Sequence, residues 1–176
     1  IIGLGTALSH GLRKGLILNI ETTAQAIRKA VEDAQIGASC EIYNVSSGIV
    51  GGHVDGLSSH GVVVVKDQEV TAEDLTQVID VARAVALPPD CEILHVMPQE
   101  FLVDGQERGK NPIGTSGIRL EATVHLVAVA SSAIQAMSKC CERAELYLQN
   151  VSFSPLAAAE AVLTPEEKET GVALID

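Results

Sequence analysis

Residues 118–126 alternate strictly, with Ile118, Leu120, Ala122, Val124 and Leu126 on one face and Arg119, Glu121, Thr123 and His125 on the other. A period of two with this contrast belongs to a sheet strand that is buried on one side and wet on the other. Something apolar has to cover the buried side. Residues 75–85 offer it: Leu75, Val78, Ile79, Ala82 and Val85 recur at helical spacing behind a start signal, Thr71-Ala72-Glu73-Asp74, whose acids complement a helix N-terminus. The chain is therefore expected to be α/β, with the stripe of Leu75, Val78, Ile79 and Ala82 packed on the face of Ile118, Leu120, Val124 and Leu126.

The rest of the chain reads in the same terms. Apolar runs at 1–8 and 15–20 predict two strands joined through Ser9-His10-Gly11 and the basic pair Arg13-Lys14. Thr22 with Gln25 predicts a capping box for a helix carrying Ile20, Ala24, Ile27, Val31 and Ala34 until Gly37. A strand over 40–48 follows, the pattern breaks at Val50-Gly51-Gly52-His53, and a strand over 61–66 comes after a turn at 58–60. Pro88-Pro89 stops the second helix, and 91–96 and 100–103 predict short strands. Residues 104–117, with four glycines and a proline, predict an ordered surface loop. A third helix is expected over 131–144 and a strand near 146–148. Ser154-Pro155 predicts the start of a helix over 156–163, Thr164-Pro165-Glu166-Glu167 opens a further turn, and 171–176 predict a last strand.

Composition excludes several functions. With 12 Lys+Arg against 23 Asp+Glu the net charge is −11, and no basic cluster is present to neutralise phosphates, so nucleic acid is not an expected partner. The charge also opposes binding to bare anionic lipid, and no apolar run reaches the roughly 18 residues of a membrane span. His10, His53, His60, His95 and His125 show no metal-ligand spacing, and His95 and His125 are expected as satisfied strand residues. Cys40, Cys91, Cys140 and Cys141 are expected to be reduced, as in a cytoplasmic protein, with Cys140-Cys141 supplying one core and one flanking thiol. Glycines at 48–52 do not lead into a helix, so they read as a hinge between domains and not as a phosphate loop. Both ends, IIGLG and VALID, are apolar and strand-like, which reads as a piece of a longer protein.

Two segments carry a resemblance: HVMPQEFLVDGQERGKNPIGTSGIRLEATVHLV (95–127) and VLTPEEKETGVALID (162–176). Together with IETTAQAIRKAVEDA (20–34), Gly-Gly-His (51–53) and EVTAEDLTQVIDVARAVALP (69–88), they resemble the bacterial actin-like cell-division proteins of the FtsA family from end to end. The resemblance implies part of an actin-like, ribonuclease H-like subdomain, residues 1–49 and 129–176. This subdomain is interrupted by a strand-helix-strand-strand interaction module at 50–128 that serves filament and division-protein contacts.

The family function implied is to tether and organise the FtsZ ring at the cytoplasmic face of the membrane, through actin-like self-association and a C-terminal membrane helix outside this sequence. ATP with magnesium is implied for the whole protein and no cofactor for this part. Asp176 is the one candidate remnant of a phosphate loop, and no catalytic or metal-binding residue is expected. Exposed polar residues of the 104–117 loop, Asp104, Gln106, Glu107, Arg108, Lys110 and Asn111, are the candidate contact surface. Two alternatives accompany this reading: a related actin-like assembly factor such as the type IV pilus protein PilM, and a small enzyme using metal or thiol chemistry.

Overall fold

The computed structural model describes residues 1–51 and 53–175. In chain order the elements are β1 (Leu12–Arg13), β2 (Leu16–Ile17), α1 (Ile20–Ala38), β3 (Asn44–Ile49), β4 (Val54–Val64), α2 (Ala72–Arg83), β5 (Cys91–Val103), β6 (Gln106–Glu107), β7 (Arg119–Ala130), α3 (Ser131–Arg143), β8 (Tyr147–Phe153), α4 (Ser154–Val162) and α5 (Pro165–Thr170). They fall into two compact units, one of residues 1–54 with the chain from Val129 onward, the other of residues 55–128.

In the first unit β3 and β8 pair in parallel, from Asn44 opposite Tyr147 to Ile49 opposite Phe153. Helices α1 and α3 cover them. Cys141, Ala144 and Leu146 form the buried centre, with Ile27, Val31, Ile42, Val45, Met137 and Leu148 packed around it. Cys140 is buried as well, its thiol 3.7 Å from the Ile20 carbonyl, so both neighbouring cysteines are core groups and neither flanks it. Burial pushes both thiols up from their ordinary range.

The start of α1 lies earlier than the Thr22–Gln25 pattern suggests. Asn19 is the cap, its side-chain oxygen accepting the Thr22 N–H at 3.0 Å, and the helix runs through Gly37 to end at Ser39 in the left-handed region. Residues 1–10 form no strand. A methyl at Gly3 would lie 2.8 Å from the Ala38 β-carbon and one at Gly5 2.5 Å from the Ala34 nitrogen, so the two glycines bring this segment's backbone against α1. Residues 171–175 are likewise exposed and outside any strand. At both places the apolar pattern suits a strand, but a strand needs a hydrogen-bonded neighbour. Phe153 rather than Ser154 caps α4, while Thr164 and Glu167 close a reciprocal capping box on α5.

The second unit is a four-stranded sheet in the order β4-β7-β5-β6 with α2 on one face. The start of α2 is built as its sequence reads: Thr71 accepts from the Asp74 N–H and Asp74 accepts from the Thr71 N–H. Val78 and Ala82 are fully buried against Leu120, Ala122, Val124 and Leu126, with Leu75, Ile79 and Val85 packed beside them. Ile118 departs from this face. It precedes the strand and is 62% exposed, its N–H held by the Asp104 carboxylate at 3.2 Å.

Three further boundaries differ. α2 ends at Arg83, before the prolines. β4 runs unbroken through the Ser-Ser-His-Gly stretch where a turn was expected. β5 is one strand, not two. It passes through Pro98 without a break, and β6 pairs only with Leu102 and Val103 at its end.

Candidate functional site

The 104–117 segment opens as a hairpin. Val103 pairs with Gln106 and Leu102 with Glu107, and the two turn residues, Asp104 and Gly105, both have positive φ (50° and 79°), as a tight two-residue hairpin requires. The Asp104 carboxylate then reaches back to accept the N–H groups of Ile118 (3.2 Å) and Arg119 (3.0 Å). Asp104 is thus committed to closing its own loop, whereas the five other candidates project from it.

Gln106, Glu107, Arg108, Lys110 and Asn111 are exposed. Arg108 donates to the Gln106 side-chain oxygen at 2.8 Å and its N–H donates to the Phe101 carbonyl at 2.9 Å. Asn111 accepts from the Ile113 N–H at 3.2 Å, beside fully buried Pro112. Residues 114–117 are tied to 68–70 by three backbone bonds: Gly114 N–H to Val70, Val70 N–H to Thr115 and Gly117 N–H to Gln68. The loop is ordered from both ends, which keeps the entropy of presenting its polar tips low.

The sheet face opposite α2 adds groups that the alternation at 118–126 announces only in part. Glu121, only 12% exposed at its side chain, takes Arg119 at 3.1 Å and His60 at 3.2 Å. Val62 and Val64, 39% and 73% exposed, follow His60 in the same outward alternation along β4. These valines were missed as surface because a Val-rich run reads as core. Their signal is Gly61, whose small size marks the side of β4 that meets α2 and so leaves 60, 62 and 64 outward.

Of the remaining candidates, Asp176 lies outside the described residues, as does Gly52 of the glycine stretch. No group of three or more His, Cys, Asp or Glu side chains among the described residues is placed to hold a metal ion. Gly48 and Gly51 precede a strand, β4, and not a helix N-terminus. No described helix is long and apolar enough to cross a membrane.

Residues 51–128 match the family described as the SHS2 domain inserted in FTSA. All 176 residues align with the cell division protein FtsA of Pseudomonas aeruginosa at 44% identity, and with those of Neisseria meningitidis serogroup B at 46% and Escherichia coli K12 at 35%. From end to end the chain is similar to part of an FtsA protein. It spans 42% of the length of each of these FtsA proteins, and they are named for cell division, not for a catalysed reaction. A solved PilM-PilN type IV pilus biogenesis complex has a chain with the same fold, at TM-score 0.54 and 12% identity, covering 91% of this chain and 49% of that one. That likeness concerns fold alone. The chain is α/β, part of an actin-like subdomain interrupted by a strand-helix-strand-strand module. The second unit falls within the residues that match the FtsA-type inserted domain, and its hairpin and outer sheet face are exposed.

Proposed function

We infer that this chain is the part of an FtsA protein that provides protein-contact surfaces in bacterial cell division, within a whole protein that tethers and organises the FtsZ ring at the cytoplasmic membrane face. The observation carrying this reading is identity of 35–46% to named cell division proteins along the entire chain, not only across the inserted module. In this reading the whole protein self-associates as actin-like subunits, binds ATP with magnesium through residues beyond those described, and reaches the membrane through a C-terminal helix outside this sequence. The hairpin tip, with Gln106, Glu107, Arg108, Lys110 and Asn111, serves neighbouring subunits and other division proteins.

The test uses the full-length protein carrying Arg108→Glu and Lys110→Glu, assayed for co-sedimentation with FtsZ polymers and for its own assembly on lipid. Both side chains are exposed, so folding stability should stay within about 0.5 kcal/mol of wild type. The expected result is weakened self-assembly with FtsZ binding retained. Unchanged assembly would remove the hairpin from the contact surface, and failure of the unaltered protein to bind FtsZ would end the tethering reading.

A further inference from the structure

Within the first unit, the β1–β2 hairpin, the end of β3 and the start of α3 enclose a cavity of about 250 Å3. Its walls are chiefly apolar: Leu12, Leu16, Ile17, Ile49, Val50 and Met137. One group does not fit such walls. The imidazole of His53 lines the cavity, and both its ring nitrogens are buried without a hydrogen-bond partner. Buried polar groups in folded proteins are nearly always paired, so an imidazole with neither nitrogen engaged beside a void points to a missing partner.

The backbone around His53 adds a second polar element. Its carbonyl accepts the Ala130 N–H at 3.0 Å, which ties it to the N-terminus of α3. Ala130 is the cap of that helix and brings no side-chain acceptor to it, and Ser132 and Ala133 of the first turn line the same cavity. A helix of 13 residues presents first-turn N–H groups and the positive end of its dipole there. An imidazole donor and a helix N-terminus at one end of an apolar chamber are complementary to an anionic oxygen attached to an apolar body.

We propose that this cavity binds a small amphiphilic carboxylate, its oxygen accepting from His53 and the start of α3, its hydrocarbon lying against Leu16, Ile49 and Met137. At ~30 Å3 per small heavy group, a cavity of about 250 Å3 holds roughly eight heavy atoms, so a medium-chain carboxylate such as octanoate fills it with its chain end near the opening. Every lining residue belongs to the first unit.

The probe is sodium octanoate, titrated into the 176-residue chain while the methionine methyls and the His53 ring are followed by NMR. The expected result is saturable shifts at Met137 and His53, with Met97 of the other unit unmoved. Sodium acetate, which lacks the body, and 1-octanol, which lacks the charge, should each bind at least about tenfold more weakly. His53→Phe should erase the preference for octanoate over octanol, and Ala136→Leu, which fills the chamber, should abolish binding. The proposal is overturned if Met137 and His53 show no saturable shift in the folded wild-type chain up to millimolar octanoate, or if octanol binds as well as octanoate. Retained discrimination in His53→Phe would overturn the role given to the imidazole.

Discussion

Replacing Gly61 by alanine tests the helix-on-sheet packing through the sign of the effect. Gly61 lies inside β4 without a left-handed backbone angle, so an added methyl meets no conformational penalty. On unfolded-state entropy alone, Gly→Ala at such a position stabilises by about 0.4–1 kcal/mol. The structure predicts the opposite. The new carbon would fall against the Val78 carbonyl, 2.7 Å from the Ala82 nitrogen and 3.0 Å from the Ala82 β-carbon. These are backbone and near-backbone atoms of α2, which cannot swing aside as the end of a long side chain can. Val78 and Ala82 are also wholly buried against β7, so the helix has to lift from the sheet as a body. Overpacking of this kind costs about 1–3 kcal/mol, leaving a net loss of about 1–2 kcal/mol after the entropic gain. For a unit of this size that lowers the melting temperature by roughly 5–10 °C. Urea and thermal unfolding, followed through the amide signals of residues 119–126, measure it, with Val62→Ala on the exposed side of β4 as the control that should change little. A Gly61→Ala chain that melts at or above the wild-type temperature would refute the close approach of α2 to β4.

Asp104→Ala should destabilise the same unit by about 1–2 kcal/mol, because the N–H groups of Ile118 and Arg119 lose a charged acceptor; urea unfolding reads this directly. Thr71→Ala should cost about 1 kcal/mol through loss of the α2 cap. The same pair predicts a pH effect, since hydrogen bonds from Thr71 hold the Asp74 carboxyl below its ordinary 3.8. A carboxyl depressed in the folded state stabilises fully above its unfolded value and loses that contribution as pH falls through the folded one. The stability gap between wild type and Thr71→Ala should therefore narrow below about pH 4 in acid titrations. In thiol titration of the folded chain, exposed Cys40 should react first, while Cys140 and Cys141 should wait for denaturant because burial raises both thiols.

What the sequence disclosed depends on whether the deciding interactions are local. The α2 start was legible because Thr71 and Asp74 satisfy each other within one turn, and β7 because a half-buried strand writes its two faces into alternate residues. The runs at 1–8 and 171–176 look the same as strands in one dimension, but strand pairing is a property of a neighbour. In the first run, Gly3 and Gly5 instead let the segment lie against Ala34 and Ala38 of α1. β4 continues through Ser58, Ser59 and His60 because β7 lies beside it, with Glu121 meeting His60 across the pair. The ordered surface loop at 104–117 was legible from its glycines and charge. Asp104, picked as a surface residue, proved to be the loop's own fastening, since a carboxylate's partners fourteen and fifteen residues away leave no mark on its immediate sequence. His53 was weighed only as a metal ligand, and its lack of partners emerges from burial that no spacing rule reports.

The parallel pairing of β3 with β8 has a consequence for the order in which this chain can fold. Asn44 and Tyr147 are neighbours in the sheet although about a hundred residues separate them, and the intervening stretch contains the entire second unit. If the first unit closed before the second had formed, it would have to restrict a long flexible loop, at a cost that rises with the logarithm of its length. A second unit that forms first replaces that loop with a short one, because the chain re-enters the first unit where the Ala130 N–H meets the His53 carbonyl at 3.0 Å. Folding of the FtsA-type module is thus the step that makes the actin-like sheet kinetically accessible. Changes that slow the module, even on its far side, should delay protection of the Asn44–Ile49 amides from hydrogen exchange while leaving every contact around them intact.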